Sequence, residues 1–154
     1  MVSVEIPAEY GYVLASAVST FFVGAWLGGR VSSYRKAAQI PYPYEYASFE
    51  QVQSAPTPEK RTLLHQFNCA QRGHQNFNEN HPTAVAAMLI TGLQYPLAAA
   101  GLGATWSVGR VLYGLGYTNG KEGGKGRYNG AAGLLAHYVL LIMSAKTAWD
   151  FVRA

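Results

Sequence analysis

The sequence predicts an all-α integral membrane protein folded as a four-helix bundle, and three observations carry that reading. Only 13% of its residues are charged, about half the roughly 25% typical of soluble domains. Uncharged runs long enough to cross a bilayer as helices recur along the chain. The 17 glycines and 11 tyrosines suit helices packed closely in lipid, with aromatic rings near its edges. A mean hydropathy of +0.01 conceals the pattern, because apolar spans are averaged with very polar connections. With 154 residues, the chain has length for one domain rather than two.

The first span runs from Tyr10 to Gly29 without a charge, about 20 residues or roughly 30 Å of helix. It is expected to stop at about residue 30, against Arg30, Arg35 and Lys36. The stretch from Tyr42 to Lys60, rich in proline, tyrosine, glutamate and serine, reads as a loop. A second helix is expected from Thr62 to Ala99, with its polar start, through Glu79, standing beyond the membrane surface. No charge occurs from Pro82 to Gly109, too long a run for one span. The glycines of AGLGA, 100–104, predict the turn, followed by a third helix from Leu102 to about Tyr117. GKEGGKGRYNG, 120–130, reads as a flexible glycine-rich loop. A fourth span follows from Asn129 to Phe151, interrupted by His137 and Lys146.

The basic residues orient these spans. The first loop holds Arg30, Arg35, Lys36, Lys60 and Arg61, and the third holds Lys121, Lys125 and Arg127. The positive-inside rule places both loops in the cytosol and both termini on the far side, Arg153 notwithstanding. MVSVEIPAEY carries acids but no Lys or Arg, so no cleavable signal peptide is expected. The net charge of +4 comes from scattered cations with no nucleic-acid-binding motif, so no nucleic-acid partner is expected. Cys69 is the single cysteine, which excludes an intramolecular disulfide. It reads as a small packed side chain. His65, His74 and His81 lack the acids or thiolates that would make a metal site.

Chemistry concentrates in FNCAQRGHQNFNENHP, residues 67–82. At about 100° per residue, Asn68, Arg72, Gln75, Asn76 and Glu79 share one helix face, and Gln71 and His74 fall on another. A cation, a carboxylate and several amides at the mouth of an apolar helix form a site for a small zwitterionic ligand, since such groups are costly near a membrane. In GRVLYGLGY, 109–117, Trp106, Arg110, Tyr113 and Tyr117 lie on one stripe. Arg110 needs an acid, a ligand or carbonyls, and an ion pair with Glu79 or Asp150 is one solution. Arg35, Lys36, Lys125 and Arg127 would add positive charge around the same end, where a bound thiol would be driven towards thiolate.

FNCAQRGHQNFNE followed by GRVLYGLGY, with four spans, resembles the membrane-associated proteins in eicosanoid and glutathione metabolism. Among them the type-three microsomal glutathione S-transferases are most similar, from about Tyr10 to Phe151. The resemblance implies a homotrimer that binds glutathione as substrate between subunits on the cytosolic side, with no metal. Arg72, Asn76, Glu79, Tyr113 and Tyr117 match residues that hold glutathione from one subunit; Arg35 and His74 match those of its neighbour. Arg127 is the counterpart of the thiolate-stabilising arginine, with Lys125 as the alternative and Lys36 and Arg110 as auxiliary cations. The His74 position holds glutamine in some relatives, and Asn80 stands where some have tyrosine. The implied activity is conjugation of glutathione to lipophilic electrophiles drawn from membrane lipid. The resemblance also implies lipid hydroperoxide reduction or leukotriene-synthase-like activity, and one branch of the family is instead a noncatalytic lipid-binding adaptor. The implied location is the endoplasmic reticulum, or the outer mitochondrial membrane.

Overall fold

A computed structural model describes residues 6–153. Its elements are α1 (Tyr10–Ala38), α2 (Phe49–Gln53), α3 (Pro58–Gly92), α4 (Pro96–Tyr117), a 3-10 segment (Glu122–Gly130) and α5 (Ala131–Arg153). Among the described residues there is no strand. Helix α1 does not stop at Gly29 as expected but runs on through the basic residues to Gln39, which closes it in a left-handed conformation. The reason is that these cations find partners. Arg30 donates to Thr118 and lies over the Trp26 and Tyr34 rings, and buried Arg35 donates to the Tyr44 carbonyl at 2.6 Å.

The predicted loop after α1 contains a short helix that the sequence reading missed. Ser48 and Gln51 start α2 with a reciprocal capping box, which satisfies two otherwise free backbone donors. Thr57 caps α3, its hydroxyl accepting from Lys60 N at 3.2 Å, and Pro58 enters at the first turn where no N–H is required. The helix then passes through Pro82, joining its polar half to its apolar half.

The turn between the second and third long helices lies at Leu93–Tyr95, not at 100–104. Tyr95 precedes proline, which disfavours helical geometry, and it sits at φ −129°, ψ 61° with Pro96 opening α4. Gly101 and Gly103 are inside that helix instead. Glycine acts further along: Gly109 of α4 and Gly133 of α5 face each other so closely that a Cβ on either would overlap the other's backbone. The 120–130 stretch is not an open loop. Gly123 and Gly124 take positive φ (61° and 65°) inside a 3-10 segment folded against α4, a conformation that glycine adopts without steric cost.

Helix α1 packs on α3 and α4, and α5 packs on the opposite side of that pair, touching both. Phe67, Leu64 and Val31 fill the core at the basic-loop end. Leu27, Phe77, Ala84 and Trp106 form the middle, and Val13, Met88, Ala99 and Leu140 the far end. Large apolar side chains also point outward, including Phe21 and Phe22 on α1 and Leu135 and Ile142 on α5. Two helical stretches, Tyr10–Ala38 and Gly123–Arg153, are long and apolar enough to cross a membrane. Outward apolar faces on such helices are the pattern that lipid contact requires.

Candidate functional site

The polar half of α3 supplies a preassembled charged network. Arg72 grips Glu79 with two hydrogen bonds, Nη1 to Oε1 at 2.6 Å and Nη2 to Oε2 at 3.2 Å. The fork geometry fits a carboxylate bidentately. Asn76 donates to the same carboxylate at 3.4 Å and accepts at its Oδ1 from Arg110 of α4 at 3.0 Å. Arg72 and Glu79 are half-exposed, so the pair contributes little to stability and chiefly fixes its own geometry. The hydrogen bonds from Arg72 hold the Glu79 carboxyl below its usual range, with Asn76 acting in the same direction.

The α4 stripe faces this network. Tyr113 and Tyr117 stand edge to face with ring centres 5.4 Å apart, and the Arg110 guanidinium lies 4.6 Å from the Tyr113 ring centre. Arg110 makes neither of the ion pairs expected for it. Glu79 is taken by Arg72, and Asp150 is paired with Lys146 at the other end of the chain. Arg127, from the 3-10 segment, donates to the carbonyls of Gly123 and Gly124 at 2.9 and 3.1 Å and to the Tyr128 hydroxyl at 3.0 Å. Its charge lies over the rings of Tyr128 and Tyr117.

Two cavities open here. The first, about 320 Å³, is lined by Asn76, Arg110, Tyr113 and Arg127 on one side and by Leu134 and Tyr138 of α5 on the other. The second, about 370 Å³, is lined by Arg72, Tyr117, Tyr46, Cys69 and the Gly123–Gly124 turn. Arg127 connects them, lining the first while its guanidinium sits over Tyr117 of the second. Six expected residues, Arg72, Asn76, Glu79, Tyr113, Tyr117 and Arg127, therefore meet at one end of the molecule, with Arg110 as a seventh. Lys125 is exposed and lines neither cavity, and neither does Lys36. His74 lies against Gly28 of α1, and Arg35 is engaged by Tyr44 and lies over Phe67 and Tyr42. Within one chain, both are apart from the Arg72 network.

Several participants escaped the sequence reading. The segment after α1 returns to α3, where Tyr46 donates to Gln75 and the Glu45 carboxylate accepts from Gln75. Asn68, assigned to the Arg72 face, also borders the second cavity, but its amide is spent on the backbone N–H and carbonyl of Ala47, each at 2.9 Å. Helical spacing placed Gln75 and Asn68 correctly on the helix, but no local pattern announces which loop will cover them. Burial, reinforced by Glu45, raises the Tyr46 phenol. Burial also pushes the Cys69 thiol up to about 11, with His65 Nε2 3.5 Å from its sulfur. His137 of α5 bonds Thr83 at 3.1 Å and also lines the first cavity. Among the described residues, no group of three or more His, Cys, Asp or Glu is placed to hold a metal ion.

A family model described as MAPEG family matches residues 13–146, covering α1 through most of α5.

Proposed function

The chain belongs to the MAPEG family and is a membrane protein, and on that premise we propose that it is a glutathione transferase of the type-three microsomal kind. The observation that carries the reading is the convergence of Arg72, Asn76, Tyr113, Tyr117 and Arg127 on two cavities joined through Arg127, with Glu79 held beside them by Arg72. Glutathione is a zwitterion with two carboxylates, an ammonium and a thiol. Arg72 and Arg127 offer charge to its anionic groups, Glu79 to its ammonium, and the amide and phenol groups complete its hydrogen bonds. A noncatalytic adaptor would need none of this set together.

The protein's part in catalysis is positioning and electrostatics. A thiol beside the Arg127 guanidinium loses its proton more readily, because the cation favours thiolate. The thiolate then forms a thioether by opening an epoxide or adding to an activated alkene, with a proton taken up by the resulting anion, or by displacing halide. With a lipid hydroperoxide it takes the terminal oxygen, and the O–O bond breaks to leave the alcohol. A second glutathione converts the glutathione sulfenic acid to disulfide and water. Arg127 rather than Lys125 is assigned the role, since Arg127 alone of the two borders a cavity. The working assembly is a homotrimer in the endoplasmic reticulum membrane with the site facing the cytosol. On the family resemblance, Arg35 and His74, which lie outside the Arg72 network within one chain, are assigned to the neighbouring subunit's site. The test is a titration of purified protein with glutathione, following thiolate absorbance in the ultraviolet. Saturable thiolate formation is expected, and a flat titration overturns the reading.

A further inference from the structure

Arg30 is the first charge after the uncharged run from Tyr10 to Gly29. It therefore lies about 30 Å along α1, at the depth where a bilayer passes from hydrocarbon to headgroups. Cations at such a boundary commonly reach outward into water. This one turns back onto the protein. Its three hydrogen bonds among the described residues all run from Nη2, to Thr118 Oγ1 at 2.5 Å and to the Tyr34 hydroxyl and Gly114 carbonyl, each at 3.4 Å. The guanidinium lies over the rings of Trp26 and Tyr34, 4.9 and 5.3 Å from their centres. Ring faces attract a cation without neutralising it, and no carboxylate pairs with Arg30 among the described residues. Its Nη1 and Nε are left to serve an anion.

An open groove of about 560 Å³ runs beside this cation, lined by Trp26, Gly29, Arg30, Ser33 and Tyr34. Gly29 provides the space, since a Cβ there would meet no atom within 4 Å. Trp26 and, one turn deeper, Phe22 are exposed, which gives acyl chains an apolar approach to the guanidinium. A tryptophan at this level also suits the headgroup boundary. The Tyr34 hydroxyl accepts from Arg30 and keeps its own proton to donate. None of the lining residues belongs to the Arg72 network or to its two cavities. Gly28, which meets His74, and Trp26 lie about 160° apart around α1 at 3.6 residues per turn. The groove is therefore on a different side of the helix from the surface assigned to a neighbouring subunit.

We propose that this groove binds the phosphate of an anionic phospholipid of the surrounding membrane, with Arg30 and Tyr34 as donors and the acyl chains lying over Trp26 and Phe22. Guanidinium and phosphate form a charge-assisted pair. A choline head carries its own cation and opposes Arg30, whereas a net-anionic head does not. Arg30 already bridges to Thr118 and Gly114 of α4, so the bound head joins the ends of the two helices. The inference rests on the ability of α1 to cross a membrane and is independent of the transferase reading.

Equilibrium binding of radiolabelled dioleoyl phosphatidic acid and dioleoyl phosphatidylcholine to the full-length protein in neutral detergent tests this without turnover. Phosphatidic acid is expected to bind about tenfold tighter, the scale of one charge-assisted contact. Arg30→Gln should abolish that preference, and Arg30→Lys should keep part of it. Gly29→Trp fills the groove without a clash, so it should weaken phosphatidic acid binding with Arg30 intact. Arg61→Gln removes an exposed cation elsewhere on the same end and should leave the preference unchanged. Equal affinity of the two lipids for the unmodified protein overturns the proposal, whether or not any variant folds. A preference that persists in Gly29→Trp also overturns it, because Arg30 would then be a brace between α1 and α4 and nothing more. Equal losses in Arg30→Gln and Arg61→Gln would show a general surface attraction instead of a site. Displacement of the lipid by millimolar inorganic phosphate would show that the groove takes the free anion, which overturns the assignment to a membrane lipid.

Discussion

Arg127 is held by two backbone carbonyls and a tyrosine hydroxyl, so its charge is fixed in place, and among the described residues no acid pairs with it. Arg127→Ala should retain most glutathione binding but lose the thiolate signal and slow turnover. Arg127→Lys should restore part of both, because a point charge remains without the planar fork. Full thiolate formation in Arg127→Ala, with loss in Lys125→Ala, would move the role to Lys125. Acid dependence follows from Glu79, whose carboxyl Arg72 depresses. A depressed carboxyl keeps its charge above the ordinary range and loses it only as pH falls through the lowered value. Glutathione affinity should therefore hold from neutral pH through the ordinary carboxylate range and weaken only at more acidic pH, below that range. Weakening already between pH 7 and 5 would point to a different group. Cys69 behaves oppositely: with its thiol pushed up to about 11 by burial, it is protonated at neutral pH, and iodoacetamide at pH 7.5 should label the native protein far more slowly than the unfolded chain. Equal rates would show the thiol to be open.

At the level of elements, close packing and loop anchoring set the site. The backbones of α4 and α5 meet at Gly109 and Gly133, and both helices line the first cavity. Gly133→Val should cost about 1–3 kcal/mol by overpacking, read as a lower thermal midpoint with glutathione binding weakened. Unchanged stability would mean that the helices separate freely there. Asn68→Ala removes both hydrogen bonds to Ala47 and should speed proteolysis of the 42–57 connection, since that segment then opens locally. The four long helices were legible because uncharged length and a polar face are properties of the sequence itself. The turn at Leu93–Tyr95 was misread because AGLGA offered flexibility where Tyr95–Pro96 imposed a constraint, and constraint prevailed. The continuation of α1 through Arg30 and Arg35 was illegible for another reason. Their partners, Thr118 and Tyr44, are supplied only by the tertiary fold. The same is true of Tyr46, which reaches the site through the return of its loop to α3.

The whole molecule concentrates its cations at one end. Arg35 and Lys36 at the end of α1, Lys60 and Arg61 at the start of α3, and Lys121, Lys125 and Arg127 between α4 and α5 all fall there. The candidate site lies at that end, so its compartment follows the orientation of the chain. The opposite end carries Lys146, paired with Asp150 and bonded to Tyr95, and Arg153 stacked near Trp149. Because short basic loops stay in the cytosol, the 42–61 connection and the Lys121 region should be open to trypsin added outside sealed microsomes. A tag placed after Ala154 should be protected until detergent is added. Lys121, Lys125 and Arg61 are exposed, so cleavage at either loop is a question of side alone. Both loops are anchored to the bundle, the 3-10 segment on α4 and the 42–57 connection through Tyr44, Ala47 and α2. A tag removed in sealed vesicles, with both basic loops protected, would reverse the orientation. It would place the Arg72–Glu79 network on the side away from the cytosolic glutathione that it is proposed to bind.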